Sequence, residues 1–462
     1  MLKALVRLLP FKDHVRSALE RLSRYVPALE ALIWPTAGGP IRWQDHDLGR
    51  DPPALARRSP PIVADVSGSK QPCPGPIYYS VGQTLSIPFN SGIQRVVRLL
   101  AAALIDQGCE LIPAVWDRRR GRLLPAPKDR LGHLARWHGP SEQSWAAWRE
   151  PEAIGGRAWF LSAEVWHDAP GRDLPELARF LRETGLRSAW IFHDAIPWAL
   201  PGIHSRALVE AHTSYMEGLA RFDHILAVSH SSRSDLLAFY ERSGRGAELR
   251  ADQVWTVPLS GAFPGTDRVT TPPPRRPESE PVQPLVVGTL ESRKNHKTLL
   301  DAVGELANHC RRPFEVTLIG RAESQQRLIR SRIKTLPQVS WLPSVDDDAL
   351  RRRYSACDFT VFPSVKEGFG LPIVESLWFG RPCICAHWGA MAEVAGSGGC
   401  LTTDVTDPRA LAGAMRTLIE DQDRRLELAM EAVRLQPRSW SDYARDVAWC
   451  LTEVDVGAAA ER

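Results

Sequence analysis

Residues 357–382 read CDFTVFPSVKEGFGLPIVESLWFGRP. Phe359, Val361 and Phe362 make a short β-branched and aromatic run of buried-strand type, ended by Pro363 and Ser364. Residues 365–370 form a loop with Lys366, Glu367 and two glycines. Pro372 suits the first turn of a helix, where its missing N–H is not needed. That helix carries Ile373, Val374, Leu377 and Trp378 on an apolar side and stops near Gly380 and Pro382. Strand, glycine loop and helix in this order imply an α/β sheet with its loops open to a ligand.

The first N–H groups of such a helix are unpaired and carry the positive end of its dipole, so the loop favours an anion. Gly368 and Gly370 let the backbone approach a ligand closely. Glu367 and Glu375 bracket the loop with seven residues between them. Two carboxylates repel a phosphate, so they should face neutral hydroxyls, such as a sugar and a ribose. A tight turn with two solvated glutamates satisfies the same spacing.

The chain has 462 residues, enough for two or three domains. With 44% hydrophobic and 24% charged residues it is of ordinary globular composition. A net charge of +4 is too slight to imply nucleic acid. None of the eight cysteines forms a CxxC pair, and the thirteen histidines include no HExxH, so no metal is expected. Cys383 and Cys385 are expected on a strand, facing apart. The free thiols, and the lack of a signal-peptide core or membrane-spanning run, point to a cytoplasmic protein.

Residues 1–60 form a basic amphipathic arm, with Lys3, Arg7, Lys12, Arg16, Arg21 and Arg24 beside leucines and valines over 1–34. Such a segment lies either on the inner face of an anionic membrane or on the protein's own body. Residues 61–265 read as a first Rossmann-like domain. PIVADVSG and PIYYSVGQTL are its early strands, and FNSGIQRVVRLL is a loop and helix capped at Asn90, Ser91 and Gly92. Arg118, Arg119, Arg120 and Arg122 suit a solvated hairpin. Trp137, Trp145 and Trp148 either pack inside the domain or line a ligand groove. Trp190, Ile191 and Phe192 form a strand with His193 and Asp194 at its carboxyl end, where open α/β sheets bind ligands.

Six prolines mark residues 266–284 as a linker. Residues 285–436 read as a second Rossmann-like domain, opening with a strand and the loop that carries Arg293 and Lys294. Lys297, in the first helical turn, opposes the helix dipole, a conflict that a bound anion relieves. Asp346, Asp347 and Asp348 read as a cap and first turn, not a metal site. Residues 437–462 complete the chain with a terminal helix. The fold class is α/β, with two doubly wound domains and a site in the cleft between them.

Several of these strings resemble one family. EGFGLPIVE resembles the E-x7-E motif of retaining glycosyltransferases of the GT-B fold, family 4 in particular, and WFGRP and Glu393 in GAMAEVAG match it too. SGIQRVVR resembles that family's glycine loop, HDAIP its HD-x-x-P segment, and AVSHSSRSD a further motif. GTLESRKN resembles its G-x-L-x-x-R-K-N loop, and RSWSDYARDVAWCL a last helix that crosses back to the first domain. The resemblance implies that Glu367 contacts the transferred sugar and Glu375 the ribose. The backbone of Gly368, Phe369, Gly370 and Leu371 faces the diphosphate and sugar. Gly92 lets its loop approach the diphosphate, Lys294 pairs with the diphosphate, and Arg293 assists. His193 approaches the donor sugar, and residues 341–343 hold the base. Arg95 is an acceptor or phosphate contact or else a surface charge, and Asp194 either orients its loop or contacts the acceptor. Thr289 departs from the pattern, because many members carry a phosphate-binding arginine there.

The implied activity is transfer of a hexose, mannose as a first guess, from a nucleotide diphosphate sugar to a glycan or lipid-linked acceptor. Retention at the anomeric carbon, surface polysaccharide or lipopolysaccharide assembly, and no cofactor or metal are implied too. A sugar-nucleotide epimerase on the same fold, or a binding protein without turnover, are the rivals.

Overall fold

The computed structural model describes residues 73–154, 156–167, 173–322 and 327–452. The amphipathic segment 1–34, the rest of the expected arm, the PIVADVSG strand and the last ten residues lie outside them.

The first sheet has seven strands in the order β3-β2-β1-β4-β5-β6-β7. They are β1 (Ile77–Ser80), β2 (Leu111–Asp117), β3 (Arg122–Pro125), β4 (Trp159–Ser162), β5 (Arg187–Phe192), β6 (His224–Ala227) and β7 (Val254–Thr256). All neighbours are parallel except β2 and β3, a hairpin that turns through the arginine cluster. Alternation along β1 sends Ile77 and Tyr79 to one core and Tyr78 to the other, as two covered faces require. Helices α1 (Gly92–Asp106) and α2 (His230–Arg242) follow β1 and β6. Ser91 stands at the N-cap of α1, but its hydroxyl bonds the Gln94 side chain instead of a backbone N–H. Trp145 and Trp148 pack on Tyr79 and Tyr78, and Trp137 lies under the buried Arg98 guanidinium, so all three pack, half-buried, on the first domain.

The second sheet has six parallel strands in the order β10-β9-β8-β11-β12-β13. They are β8 (Pro284–Val287), β9 (Val316–Ile319), β10 (Val339–Leu342), β11 (Phe359–Phe362), β12 (Cys383–Ala386) and β13 (Cys400–Thr403). Helix α3 (His296–His309) follows β8, α4 (Asp347–Ala356) precedes β11, α5 (Leu371–Trp378) follows β11, and α6 (Gly389–Ala395) follows β12. The proline-rich segment runs along this domain. Arg268 donates to the Ala432 and Val433 carbonyls, Arg276 pairs with Asp358, and Val282 is buried. The last helix, α7 (Trp440–Thr452), packs on α1, so Tyr443, Val447 and Leu451 complete the first domain's core.

The expectation that Cys383 and Cys385 face apart is corrected. Residues i and i+2 of a strand share a face, and Ile384 between them points to the other face, into the second domain's core.

Strand order reverses between β1 and β4 in one sheet and between β8 and β11 in the other. Loops diverge at such points and leave a crevice at the carboxyl ends of the strands.

Candidate active site

The second domain brings a charge cluster to its crevice. The loop after β8 carries Glu291, Arg293 and Lys294, and the loop after β11 carries Glu367. The Val365 N–H donates to the Arg293 carbonyl at 2.9 Å, which locks the two loops together. Arg293 Nη1 and Lys294 Nζ each lie 2.6 Å from Glu367 Oε1. The Ser364 hydroxyl donates to the same oxygen at 2.5 Å, and Arg293 Nη2 lies 2.7 Å from Glu291. Burial pushes the Glu367 carboxyl up, but Arg293 and Lys294 outweigh it and hold its pKa at about 2. Burial also pulls the Lys294 ammonium down, and Glu367 restores only part of the loss. Glu291 and Glu367 therefore offset both cations. Lys297 turns outward instead, pairing with Asp301 at 2.7 Å.

Glu375 sits within α5, whose N-cap Gly370 has φ +110°, a conformation in which a side chain is strained. Its Oε1 pairs with Arg95 of α1, and its Oε2 accepts from the buried Tyr354 hydroxyl at 2.8 Å. Burial acts against the Arg95 charge, but Glu375 outweighs it, so the guanidinium stays protonated. Sequence reasoning put a ribose on Glu375 and an acceptor or phosphate on Arg95. In the structure the two side chains hold each other across the crevice.

The first domain presents mostly neutral groups. His193, just past β5, is buried, and burial lowers its pKa, so the ring is neutral. Its Nε2 donates to the Ala163 carbonyl at 2.7 Å, because that carbonyl can only accept, which leaves Nδ1 as an acceptor. Asp194 Oδ1 accepts from the Ile196 N–H at 2.9 Å, so its side chain orients the local turn. Gly92, at the start of α1, faces Leu371: a Cβ there would lie 3.8 Å from Leu371 Cδ1. Glu164, which sequence reasoning missed, is fully buried after β4 and takes the Ser80 hydroxyl at 2.7 Å and the Thr84 N–H at 2.6 Å. It ties the ends of β1 and β4 together at the switch point. An acid inside the apolar run AWFLSAEVW was the available signal.

The two walls meet around Gly368. A Cβ on Gly368 would collide with the His193 carbonyl. The Gly368 carbonyl accepts from the Ser229 hydroxyl at 2.6 Å and the Ser232 hydroxyl at 2.9 Å. Ser229 is also the N-cap of α2, accepting from the Ser232 N–H. Lys366 is 3% exposed and reaches Asp235 of α2 at 3.0 Å. Glu393 of α6 accepts from the His230 and Ser231 N–H groups, a solvent-exposed second cap on the same helix. Phe369 and Leu371 pack against the first domain's core.

Near the expected base site, Trp341 Nε1 donates to the Gly320 carbonyl at 2.9 Å. Asp346 caps α4 through the Ala349 N–H. Among the described residues no three His, Cys, Asp or Glu side chains gather where a metal ion could be held, and no helix is long and apolar enough to cross a membrane. An open cavity of about 570 Å³ lined by Arg182, Arg221, Arg245 and Glu248 shares no residue with this crevice.

Residues 270–434 match the family of glycosyl transferases group 1. Over 272 residues the chain is 29% identical to O-antigen chain mannosyltransferase B of Escherichia coli, covering 55% of this chain and 68% of that protein. It is 26% identical over 206 residues to D-inositol 3-phosphate glycosyltransferase of Corynebacterium efficiens, covering 42% and 46% of the two chains. It spans only 28% of the serotype-specific mannosyltransferase WbdA of Escherichia coli. Among solved structures, Anabaena Alr3699/HepE in complex with UDP and glucose superposes with a TM-score of 0.54 at 14% identity, over 84% of this chain and all of that one. The lipopolysaccharide outer core galactosyltransferase WaaB in its apo form gives a TM-score of 0.53 at 13% identity, over 81% and 99%. The architecture is therefore GT-B. The group 1 match over the second domain and the mannosyltransferase relatives support a glycosyltransferase on this architecture.

Proposed function

We propose that this protein is a glycosyltransferase that moves a hexose, mannose as first candidate, from a nucleotide diphosphate sugar to a hydroxyl of a glycan or lipid-linked acceptor. The reaction retains the anomeric configuration and serves surface polysaccharide or lipopolysaccharide assembly. The observation that carries this reading is the cluster of Glu367, Arg293 and Lys294 at the β8/β11 switch point, facing His193 across the crevice. The mannosyltransferase relatives support the choice of sugar.

In this reading an incoming diphosphate takes Arg293 and Lys294 over from Glu367. The carboxylate, held by the Ser364 hydroxyl, then accepts from hydroxyls of the donor sugar. As the glycosidic bond breaks, charge grows on the leaving diphosphate. The two cations and the N–H groups at the start of α5 stabilise it electrostatically, with no metal in the scheme. The backbone of 368–371 lines the sugar, and Gly92 brings the start of α1 close. The neutral His193 offers Nδ1 as an acceptor. A ribose on Glu375 must displace Arg95, which then turns to the diphosphate or the acceptor. Asp194 shapes the turn on the acceptor side.

The test is a panel of nucleotide sugars, read first by thermal stabilisation and then by nucleotide release with and without glycan acceptors. GDP-mannose is expected to stabilise the protein and to release GDP faster when acceptor is added. The product's anomeric proton coupling then reads retention. Epimerised donor without acceptor-dependent release defeats the reading in favour of an epimerase. Binding without any turnover favours a non-catalytic protein.

A further inference from the structure

Lys366 and Glu367 are consecutive, and their side chains are held by opposite domains. Glu367 is gripped by Arg293 and Lys294 of its own domain. Lys366 reaches Asp235, 131 residues earlier in the chain, on α2. Gly368, which follows Glu367, gives its carbonyl to Ser229 and Ser232 at the start of the same helix. An ammonium at 3% exposure is costly to bury unless paired. Its partner must therefore be in place whenever the loop has this shape. A buried ion pair adds little net stability over apolar residues of similar size, but it does impose one geometry.

Resting on the function proposed above, we infer that Lys366 and Asp235 are positioning residues for the transfer. Together they clasp the sugar-facing loop to the first domain and hold Glu367 in register only while the two domains touch. Neither side chain touches the reacting atoms. The pair converts domain contact into the shape of residues 366–370. When the domains part, both charges are hydrated and the loop loses one of its two anchors. The acid opposite Lys366 is Asp235; Asp194 and Arg242 are the other charged groups that act on Asp235.

The experiment compares the full-length wild type with Lys366→Met, Asp235→Asn, Lys366→Arg and the double variant Lys366→Met/Asp235→Leu. The double removes both charges, so a folding failure caused by one unpaired charge does not hide the answer. GDP binding is read by calorimetry, GDP release from GDP-mannose by kcat and KM, and the loop by hydrogen exchange over residues 363–371. Lys366→Met is expected to lower kcat on the order of 100-fold, as loop misplacement of about 1 Å does. GDP affinity stays within about twofold, and the loop exchanges faster. Lys366→Arg restores most of kcat, and the double variant is no worse than Lys366→Met alone. Unchanged loop exchange in both Lys366→Met and the double overturns the clasp, as does an equal loss of kcat and GDP affinity. If the wild type turns over no nucleotide sugar, the proposed function falls, and loop exchange alone upholds or overturns the clasp.

Discussion

The two walls of the crevice are built on similar sheets but from different chemistry. The second domain contributes charge, with Glu291, Arg293, Lys294 and Glu367 gathered by two loops at one switch point. The first contributes mostly neutral groups: the Gly92 turn, a buried neutral His193, and the hydroxyls and N–H groups at the start of α2. Charges that neutralise one another can be exchanged for those of a ligand. Neutral groups committed to backbone carbonyls cannot. In the proposed function this asymmetry gives donor binding to the second wall, and to the first wall the completion of the site on contact. Substitutions that disturb the meeting of the walls should therefore move turnover more than GDP affinity, and those that free a charged group from its internal partner should leave GDP affinity intact or raise it.

The largest effect is expected at Glu367. Glu367→Gln should lower kcat by about 100- to 1000-fold, while GDP binds as well or better, because the cations lose their internal competitor. A large loss of GDP affinity would sink the proposed exchange of partners. The substitution also carries a pH signature. The folded pKa of Glu367, about 2, is depressed below its ordinary value of 4.5. Its stabilising contribution is therefore full above the unfolded value and is lost as pH falls towards 2. Denaturation midpoints of wild type and Glu367→Gln should differ most near pH 6 and converge as the pH is lowered towards 2.5. A constant gap would mean that the carboxylate is not ionised against Arg293 and Lys294.

Gly368→Ala comes next and tests the meeting point of the walls. The added methyl group runs into the His193 carbonyl, and overpacking of this kind costs about 1–3 kcal/mol. The expected outcome is a fall in kcat with little change in GDP affinity, because the collision is with the first domain. An equal fall in both, measured by calorimetry beside steady-state rates, would place Gly368 in donor binding instead.

Arg95 should give a smaller effect of opposite sign. It occupies the oxygen of Glu375 that a ribose hydroxyl would use. Arg95→Met should tighten GDP binding by about fivefold, roughly 1 kcal/mol in affinity. Weaker binding would mean that Arg95 itself contacts the nucleotide.

What was readable in the sequence follows the same asymmetry. The second wall's loop could be read because strand, glycines, glutamates and helix fall within one run of residues 357–382. Two doubly wound α/β domains were readable from repeated strand, loop and helix units, and GT-B from the motif resemblance. The partners of these residues were not. Arg95 and Glu375 are 280 residues apart, and each alone suits a ligand contact. Only the three-dimensional arrangement of the walls shows that they satisfy each other. Lys366 carried no signal of burial, since a lysine in a glycine loop is ordinarily solvated. The cysteine expectation failed for a simpler reason, a miscount of strand periodicity.

The smallest effect separates two serine and aspartate caps that look alike locally. Ser229 caps α2 and Asp346 caps α4, each accepting a backbone N–H three residues on. Replacing either with alanine should cost about 1 kcal/mol of stability. Their hydrogen bonding differs beyond that. Asp346 serves its own helix, whereas the Ser229 hydroxyl also donates to the Gly368 carbonyl at 2.6 Å across the crevice. Removing it leaves that buried carbonyl with Ser232. Ser229→Ala should therefore slow turnover several-fold beyond what its loss of melting temperature predicts, and Asp346→Ala should not. Matched melting shifts with matched rates in the two variants would reduce the meeting of the walls to ordinary packing. A rate loss confined to Ser229→Ala would tie the start of α2 to the loop that carries Glu367.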